Sequence, residues 1–289
     1  MHPDSLYLKG GDHAVMLLHG VCGTHLELMI TASWLNRAGF TVVVPFLPGY
    51  TYGQPSVDYQ SWILQACAVY DELRQMHQSV SVVGLSMGAT LALAVAERVP
   101  DIAALVLLST TLYTDGWAMP WYRFLLGLAW HTPLRSSYAY HERPPYGIKN
   151  IELRTRVKKA LMEQKIAEVG GQEISLEHLH QAAKLSNHAR DHLDLVQADT
   201  LLVHSIDDET ASPSNAEEVL AGIASPRKEV IYLGDCYHMI TVDNERETVN
   251  YETERFIKEA VNLKMRDPVF EMPEILSKEL LRAARRAAG

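Results

Sequence analysis

Short apolar runs alternate with longer amphipathic stretches in two parts of the chain, residues 14–109 and 199–263. The runs are rich in Val, Leu and Ile, which is typical of strands that are buried on both faces of a sheet. The stretches between them place apolar residues along one side of a helix. This alternation predicts an α/β fold with a mostly parallel sheet and helices on both faces.

Each predicted strand occupies one apolar run, at residues 14–18, 40–44, 80–84, 102–108, 201–203 and 229–233. Each predicted helix occupies one amphipathic stretch, at residues 26–38, 58–76, 89–99, 214–220 and 245–263. Gly39 and Pro100 end two of these helices, because glycine adopts the left-handed turn after a helix and proline cannot continue one.

The alternation stops between residues 110 and 198, where Trp, Tyr, Met and paired Pro residues are followed by charged helical stretches. We interpret this segment as a helical cap that is inserted into a core of residues 1–109 and 199–263. Residues 264–289 are predicted to form a tail with a basic amphipathic helix. Its apolar stripe consists of Leu276, Leu280, Ala283 and Ala287. This stripe suits packing on the core, on a second subunit or on a membrane surface, of which packing on protein is the interpretation we prefer.

Composition narrows the class of protein. The 289 residues are 47% hydrophobic and 21% charged, and 26 Lys and Arg against 35 Asp and Glu give a net charge of −9. This acidic balance argues against a nucleic-acid partner. Three dispersed cysteines argue against a disulfide framework and a Cys-rich zinc site. With no visible signal peptide or long apolar stretch, we expect a cytoplasmic monomer or homodimer without stable membrane insertion.

A nucleophile motif lies at a strand-to-helix junction. The segment GLSMG, residues 84–88, stands between a predicted strand and a predicted helix, which is the context in which G-x-S-x-G presents a catalytic serine. A sharp turn there exposes the hydroxyl, and side chains at the glycine positions would collide with neighbouring elements. We therefore predict Ser86 as the nucleophile. The alternative is a serine that only caps the helix.

A serine hydroxyl needs a base and an acid to become nucleophilic. In folds with this motif the chain order is Ser, then Asp or Glu, then His. If that order holds, His238 is the base, because no other histidine follows the next acidic cluster. The acid is expected in that cluster, in which Asp207, Asp208 and Glu209 are adjacent. The two that are not the acid would be solvated loop charges.

The tetrahedral intermediate of acyl transfer also needs donors for its oxyanion. The first is the backbone N–H that follows the nucleophile, on Met87. The second is expected in the loop HGVCG, residues 19–23, whose glycines allow close approach of the backbone. We predict the N–H of Val21.

Four segments carry a resemblance to a known family: VMLLHGVCGT (15–24), VVGLSMGAT (82–90), RDHLDLVQADTLLVHSIDDETASPSNA (190–216) and YHMITVDNE (237–245). The chain resembles the α/β-hydrolases of the bacterial carboxylesterase and monoacylglycerol lipase group. The resemblance implies a sheet of about seven strands, a helical cap, no cofactor, and hydrolysis of short to medium acyl esters. It also implies Ser86 as nucleophile, Asp208 as acid and His238 as base, with the N–H groups of Val21 and Met87 as the oxyanion hole.

Apolar and aromatic residues are dense at the start of the predicted cap: Trp117, Trp121, Tyr122, Phe124, Leu125, Leu128 and Trp130. An acyl chain needs an apolar groove near the serine. Trp117, Tyr122 and Leu125 are therefore predicted to bind the substrate, and the alternative is ordinary packing of the cap on the core.

His188 and His192 are spaced i, i+4 on a predicted helix, with His178 and His180 upstream, and this spacing is compatible with a metal site. The spacing alone is weak evidence for zinc, and no HExxH pattern accompanies it. We interpret these histidines as a solvated polar face and predict no metal.

These features together predict a serine carboxylesterase that needs no cofactor and acts on a small-molecule ester through an acyl-enzyme. The same residues also support hydrolysis of a thioester or a carbon–carbon bond, and acyl transfer to a nucleophile other than water. A protein of this fold without catalysis would instead be a ligand receptor or a scaffold.

Overall fold

A seven-stranded sheet runs through the centre of the protein. The computed structural model describes residues 1–119, 130–133, 138–264 and 269–272. Its strands in chain order are β1 (Leu6–Leu8), β2 (His13–Leu18), β3 (Thr41–Val44), β4 (Ser79–Leu85), β5 (Leu105–Leu108), β6 (Ala139–His141), β7 (Ile166–Ala167), β8 (Gly170–Gly171), β9 (Glu173–Ser175), β10 (Thr200–Ser205) and β11 (Lys228–Leu233). The α-helices of the described residues are α1 (Met29–Arg37), α2 (Tyr59–Met76), α3 (Met87–Ala96), α4 (Ile151–Gln164), α5 (Leu176–Asp191), α6 (Ser214–Gly222) and α7 (Arg246–Lys264).

The strand order of the sheet is β1-β3-β2-β4-β5-β10-β11. β1 is antiparallel to β3, and the other neighbouring pairs are parallel. β5 and β10 are neighbours although the predicted cap separates them along the chain, so the insertion leaves the sheet continuous. The predicted α/β fold with about seven, mostly parallel strands is confirmed.

Apolar clusters cover both faces of the sheet, which explains the continuous apolar runs in the sequence. Along β4, Val80 and Val82 belong to a cluster that includes residues of α2 and α3. Val83 and Leu85 belong to a second cluster that includes residues of α1 and α7. Because successive side chains of a strand point to opposite faces, every position of a central strand meets apolar neighbours. The sheet is therefore a rigid support for the loops at its carboxyl edge.

The segment between β5 and β10 is not purely helical. It contains α4 and α5 together with two short antiparallel ribbons, β6 with β9 and β7 with β8. The ribbons were not predicted, because strands of two or three residues are too short to show alternating hydrophobicity. Most of the predicted tail, including its apolar stripe, lies outside the described residues.

Among the helices of the described residues, none combines the length and the hydropathy of a membrane-spanning segment. The three cysteines, Cys22, Cys67 and Cys236, are free thiols.

Candidate active site

Ser86 occupies a sharp turn between β4 and α3. Its backbone has a φ of 57° and a ψ of −122°, a strained conformation for a residue with a side chain. A Cβ atom on Gly84 would lie 2.3 Å from the carbonyl oxygen of Gly88, and one on Gly88 would lie 2.1 Å from that of Leu18. Glycine at both positions is therefore a steric requirement of this turn.

The side chains of Ser86, His238 and Asp208 form one hydrogen-bonded chain. The Nε2 atom of His238 lies 2.8 Å from Oγ of Ser86, and the Nδ1 atom lies 2.8 Å from Oδ2 of Asp208. The three residues follow β4, β11 and β10, whose carboxyl ends share one edge of the sheet. An ionised carboxylate only accepts hydrogen bonds, so Nδ1 carries the hydrogen, and Nε2 of the neutral ring can accept the serine proton.

Of the three adjacent acidic residues, Asp208 is the one whose side chain contacts His238. The Asp208 side chain is fully buried, and its Oδ1 accepts two backbone N–H groups of the same loop at 2.9 and 2.8 Å. Burial would raise the pKa of Asp208, but the His238 charge and these hydrogen bonds outweigh burial and keep the pKa below its usual value. Asp207 instead forms an ion pair with Lys149 at 2.9 Å, with 48% of its side chain exposed.

Glu209 was expected to be a solvated loop charge, and that expectation is wrong. Only 3% of Glu209 is exposed, and its Oε2 accepts the backbone N–H of His238 at 3.1 Å. Burial raises the pKa of this carboxyl. Three consecutive acidic residues look alike in sequence, whereas a tight loop directs their side chains to different sides.

Carboxylates around His238 control its protonation. Burial alone would lower the pKa of His238, but the charges of Asp208, Glu209 and Glu142 outweigh burial and raise the pKa to about 9. Glu142 directly follows β6, and burial together with the Glu209 charge raises its pKa to about 7. This environment stabilises an imidazolium, which is the form that an imidazole adopts when it accepts the proton of a serine nucleophile.

The loop after β2 carries the second predicted oxyanion donor. Among the described residues, no backbone hydrogen bond donated by the N–H of Val21 or of Met87 is present, and their role as oxyanion donors stays a prediction. Glu27 supports this loop: its Oε2 accepts the N–H of Gly20 at 2.7 Å, and a Cβ on Gly23 would lie 1.8 Å from its Oε1. Burial raises the pKa of Glu27 to about 7. Sequence reasoning missed Glu27, because a single Glu at the start of a helical stretch carries no distinctive signal.

Two further residues at the site were also missed. The Oγ1 of Thr111 lies 3.3 Å from Oγ of Ser86, and its place shortly after the end of β5 was a signal that could have found it. Asp243 is fully buried and accepts the N–H groups of Lys149 and Tyr237 at 2.7 and 2.9 Å. Asp243 thus connects the His238 loop with the segment that precedes α4.

Of the three residues predicted to bind the substrate, only Trp117 is among the described residues. It is 63% exposed, its Nε1 donates to the carbonyl oxygen of Asp207 at 3.1 Å, and its ring lies 5.6 Å from that of Tyr237 between centroids. Trp117 therefore contacts the loops that carry Asp208 and His238. Outside the described residues lie Trp121, Tyr122, Phe124, Leu125 and Leu128.

The sequence predicted that the histidines of α5 form a solvated polar face, whereas His178 and His188 contact other residues of the protein. His178 is buried, and its Nδ1 lies 2.8 Å from Oγ of Ser175. The Nε2 of His188 lies 2.7 Å from Oε2 of Glu97, which directly follows α3. The expectation is wrong because spacing along one helix does not reveal which residues of other helices pack against it.

Comparison with known proteins assigns the chain to a family. A family model described as "Serine aminopeptidase, S33" matches residues 11–246, which include Ser86, Asp208 and His238. The chain belongs to this family of α/β-hydrolases. This α/β-hydrolase is 26% identical over 254 residues to the "Thermostable monoacylglycerol lipase" of Bacillus sp. (strain H-257), covering 84% of this chain and 89% of the relative. It is also 21% identical to the "Carboxylesterase" of Bacillus subtilis (strain 168), covering 89% of this chain and 96% of the relative.

Solved structures share the fold of this α/β-hydrolase. The crystal structure of Paleococcus ferrophilus monoacylglycerol lipase matches with a TM-score of 0.75 and 18% sequence identity, and the match covers 90% of this chain and 100% of that chain. At this identity the likeness shows a common fold. The family and the two curated relatives together identify the protein as a serine hydrolase.

Proposed function

We propose that this serine hydrolase is a carboxylesterase that hydrolyses short- to medium-chain acyl esters, monoacylglycerols among them, through an acyl-enzyme on Ser86. The observation that carries the proposal is the position of His238, whose ring nitrogens lie 2.8 Å from the Ser86 hydroxyl and 2.8 Å from the Asp208 carboxylate. An oriented imidazole can take the serine proton as the oxygen attacks. The names of the two curated relatives support an ester substrate.

In the proposed mechanism, Oγ of Ser86 attacks the ester carbonyl carbon while Nε2 of His238 takes the hydroxyl proton. The N–H groups of Val21 and Met87 stabilise the negative oxygen of the tetrahedral intermediate. The imidazolium then protonates the leaving alcohol, and the acyl group stays on the serine. Water then attacks the acyl carbon while His238 takes a proton from it; the bond to Oγ breaks, the carboxylic acid leaves, and the imidazolium returns the proton to Ser86. Asp208 remains ionised and keeps the ring in the required tautomer.

We further propose that residues 110–198 act as a cap that selects the acyl chain. Two contacts with the site loops support this role: the Gly171 N–H donates to the carbonyl oxygen of Cys22 at 3.2 Å, and the Met239 N–H donates to that of Gly147 at 2.8 Å. Trp117→Ala is expected to change the preference among p-nitrophenyl esters of different chain length. An unchanged preference would remove Trp117 from the acyl site.

A labelled fluorophosphonate tests the nucleophile. We expect one label per wild-type chain, located on Ser86 by peptide mass spectrometry, and none on Ser86→Ala. That variant should unfold at the same temperature as the wild type and should show only background ester turnover. Ester turnover by a folded Ser86→Ala protein would contradict the assignment. A wild type that takes no label and turns over no ester would favour the receptor or scaffold alternative.

A substrate panel tests the reaction. It contains p-nitrophenyl esters of increasing chain length, monoacylglycerols, a thioester, and an aminoacyl p-nitroanilide, which is included because the family is described as a serine aminopeptidase. We expect the highest kcat/KM with an ester of short or medium chain. A clear preference for the thioester or the anilide would replace the ester assignment and leave the chemistry of Ser86 intact.

A further inference from the structure

We propose that Glu97, His188 and His192 form a binding site for a divalent transition metal ion such as Zn²⁺. Glu97 directly follows α3, His188 lies in the last turn of α5, and His192 is the residue that ends that helix. One potential ligand atom of each residue lies within 4.8 Å of the other two. Within the part of the chain that the structure describes, no other three His, Cys, Asp or Glu residues are grouped in this way.

A hydrogen bond prepares His192 as a ligand. Its Nδ1 lies 2.7 Å from the carbonyl oxygen of His188. A carbonyl oxygen only accepts, so Nδ1 carries the hydrogen and Nε2 of the neutral ring keeps its lone pair. Bonds of this kind to a backbone carbonyl orient metal-bound histidines. The ring centroids of His188 and His192 are 4.4 Å apart, so both rings lie on the same side of the chain.

The third ligand comes from a different helix. The Oε2 of Glu97 lies 2.7 Å from Nε2 of His188, and each side chain is only 12% exposed. A metal ion could replace the hydrogen that these two atoms share. Ligand atoms around tetrahedral zinc, with bonds of about 2.0–2.1 Å, are roughly 3.3 Å apart, so Oε2 of Glu97 and Nε2 of His188 would have to separate to that distance. Two imidazoles and one carboxylate are ligands that Zn²⁺ accepts, and a water molecule would complete the coordination.

The position of the cluster indicates a structural role for the ion. α3 begins next to Ser86 and is 10 residues long, so Glu97 is about 15 Å from the nucleophile along the helix axis. His188 and His192 belong to the end of the predicted cap. A metal ion bound here would therefore connect α5, at the end of the predicted cap, to α3, the core helix that begins next to Ser86, and it would take no part in the chemistry.

Zinc binding to the full-length protein tests the proposal. After treatment with a chelator, we expect calorimetric titration to show one Zn²⁺ per chain, and we expect Zn²⁺ to raise the temperature of unfolding. His188→Ala, His192→Ala and Glu97→Gln should each weaken binding by about tenfold or more and abolish the rise. The matched control is His180→Ala, because His180 lies on the same helix but stacks on Trp130. It should bind Zn²⁺ like the wild type.

Wild-type protein without saturable Zn²⁺ binding would overturn the proposal. The proposal would also be overturned if a folded variant of Glu97, His188 or His192 bound Zn²⁺ as tightly as the wild type. It would equally be overturned if His180→Ala lost as much Zn²⁺ affinity as those variants. Glu97→Gln changes the shape of the side chain very little, so it keeps the test decisive if the alanine variants do not fold. Co²⁺ gives a second measurement, since the visible absorption of a tetrahedral site should appear with the wild type and not with Glu97→Gln. These readouts need no ester substrate, so they are independent of the proposed esterase activity.

Discussion

The carboxylate of Glu27 accepts the backbone N–H of Gly20 at 2.7 Å, one position before Val21 in the predicted oxyanion loop. The backbone carbonyl of Glu27 accepts the hydroxyl of Thr241 at 2.9 Å, in the loop that carries His238. One buried residue thus connects the loop of an oxyanion donor with the loop of the base.

Glu27→Ala should lower kcat for ester hydrolysis by about tenfold to a hundredfold and change KM much less. The buried N–H of Gly20 loses its acceptor, which typically costs about 1–3 kcal/mol, and the oxyanion loop loses its support. Glu27→Gln should recover most of kcat, because the amide oxygen can accept the same hydrogen bond. Titration with the fluorophosphonate gives the number of folded sites. A wild-type kcat per titrated site in Glu27→Ala would contradict this positioning role.

Asp208→Asn should lower kcat by about 10³- to 10⁴-fold, because an amide that donates to the ring favours the wrong tautomer of His238. Asp207→Asn is the matched control. It weakens only an exposed ion pair with Lys149, which is worth at most about 1 kcal/mol, so kcat should stay within about twofold of wild type. Steady-state kinetics with one p-nitrophenyl ester compares the two variants. The reverse ranking would identify Asp207 as the acid.

The rate of ester hydrolysis should increase with pH up to the pKa of His238 and then level off, because the deprotonated ring is the active base. Burial opposes protonation of this ring, but the surrounding carboxylates outweigh it and raise the pKa to about 9. A protonated imidazole cannot act as a base, so kcat/KM should rise from about pH 6 to about pH 9.

Glu142→Gln removes one of these carboxylates and should therefore lower the pKa of His238. The rise of kcat/KM with pH should then occur at a lower pH, by about half a pH unit or more. Glu173→Gln is the control, because Glu173 lies in the same ribbon, paired with β6, and its side chain is 55% exposed. It should leave the profile of kcat/KM against pH unchanged. Identical profiles for wild type and Glu142→Gln would show that the Glu142 charge does not act on His238.

Gly88→Ala should destabilise the protein and reduce labelling by the fluorophosphonate. The new Cβ would lie 2.1 Å from the carbonyl oxygen of Leu18 and 2.4 Å from that of His19, and overpacking of this kind costs about 1–3 kcal/mol or more. Gly234→Ala is the control, because a Cβ there meets no atom within 4 Å; it should change the free energy of unfolding by less than about 0.5 kcal/mol. Equal midpoints in urea would contradict the steric argument.

Local patterns in the sequence predicted six of the seven strands of the sheet, all except β1, together with the helices that flank them. β4 is recognisable because both of its faces are buried, and α2 because its apolar positions recur at helical spacing. The turn at Ser86 is also local, since five consecutive residues contain the serine and both glycines that its geometry requires. The short ribbons of the predicted cap have no such period, and they were missed.

Three features could be predicted from the sequence: the α/β class, the position of Ser86 between a strand and a helix, and the choice of His238 from chain order. The family resemblance implied Asp208 as the acid, whereas the residues by themselves left Asp207 open, and the folded structure brings Asp208, and not Asp207, into contact with His238. Only the tertiary structure decided that Glu27 supports the oxyanion loop. Strands and helices show a periodic pattern along the chain, whereas these contacts depend on the direction of single side chains in loops and join residues that are distant in sequence.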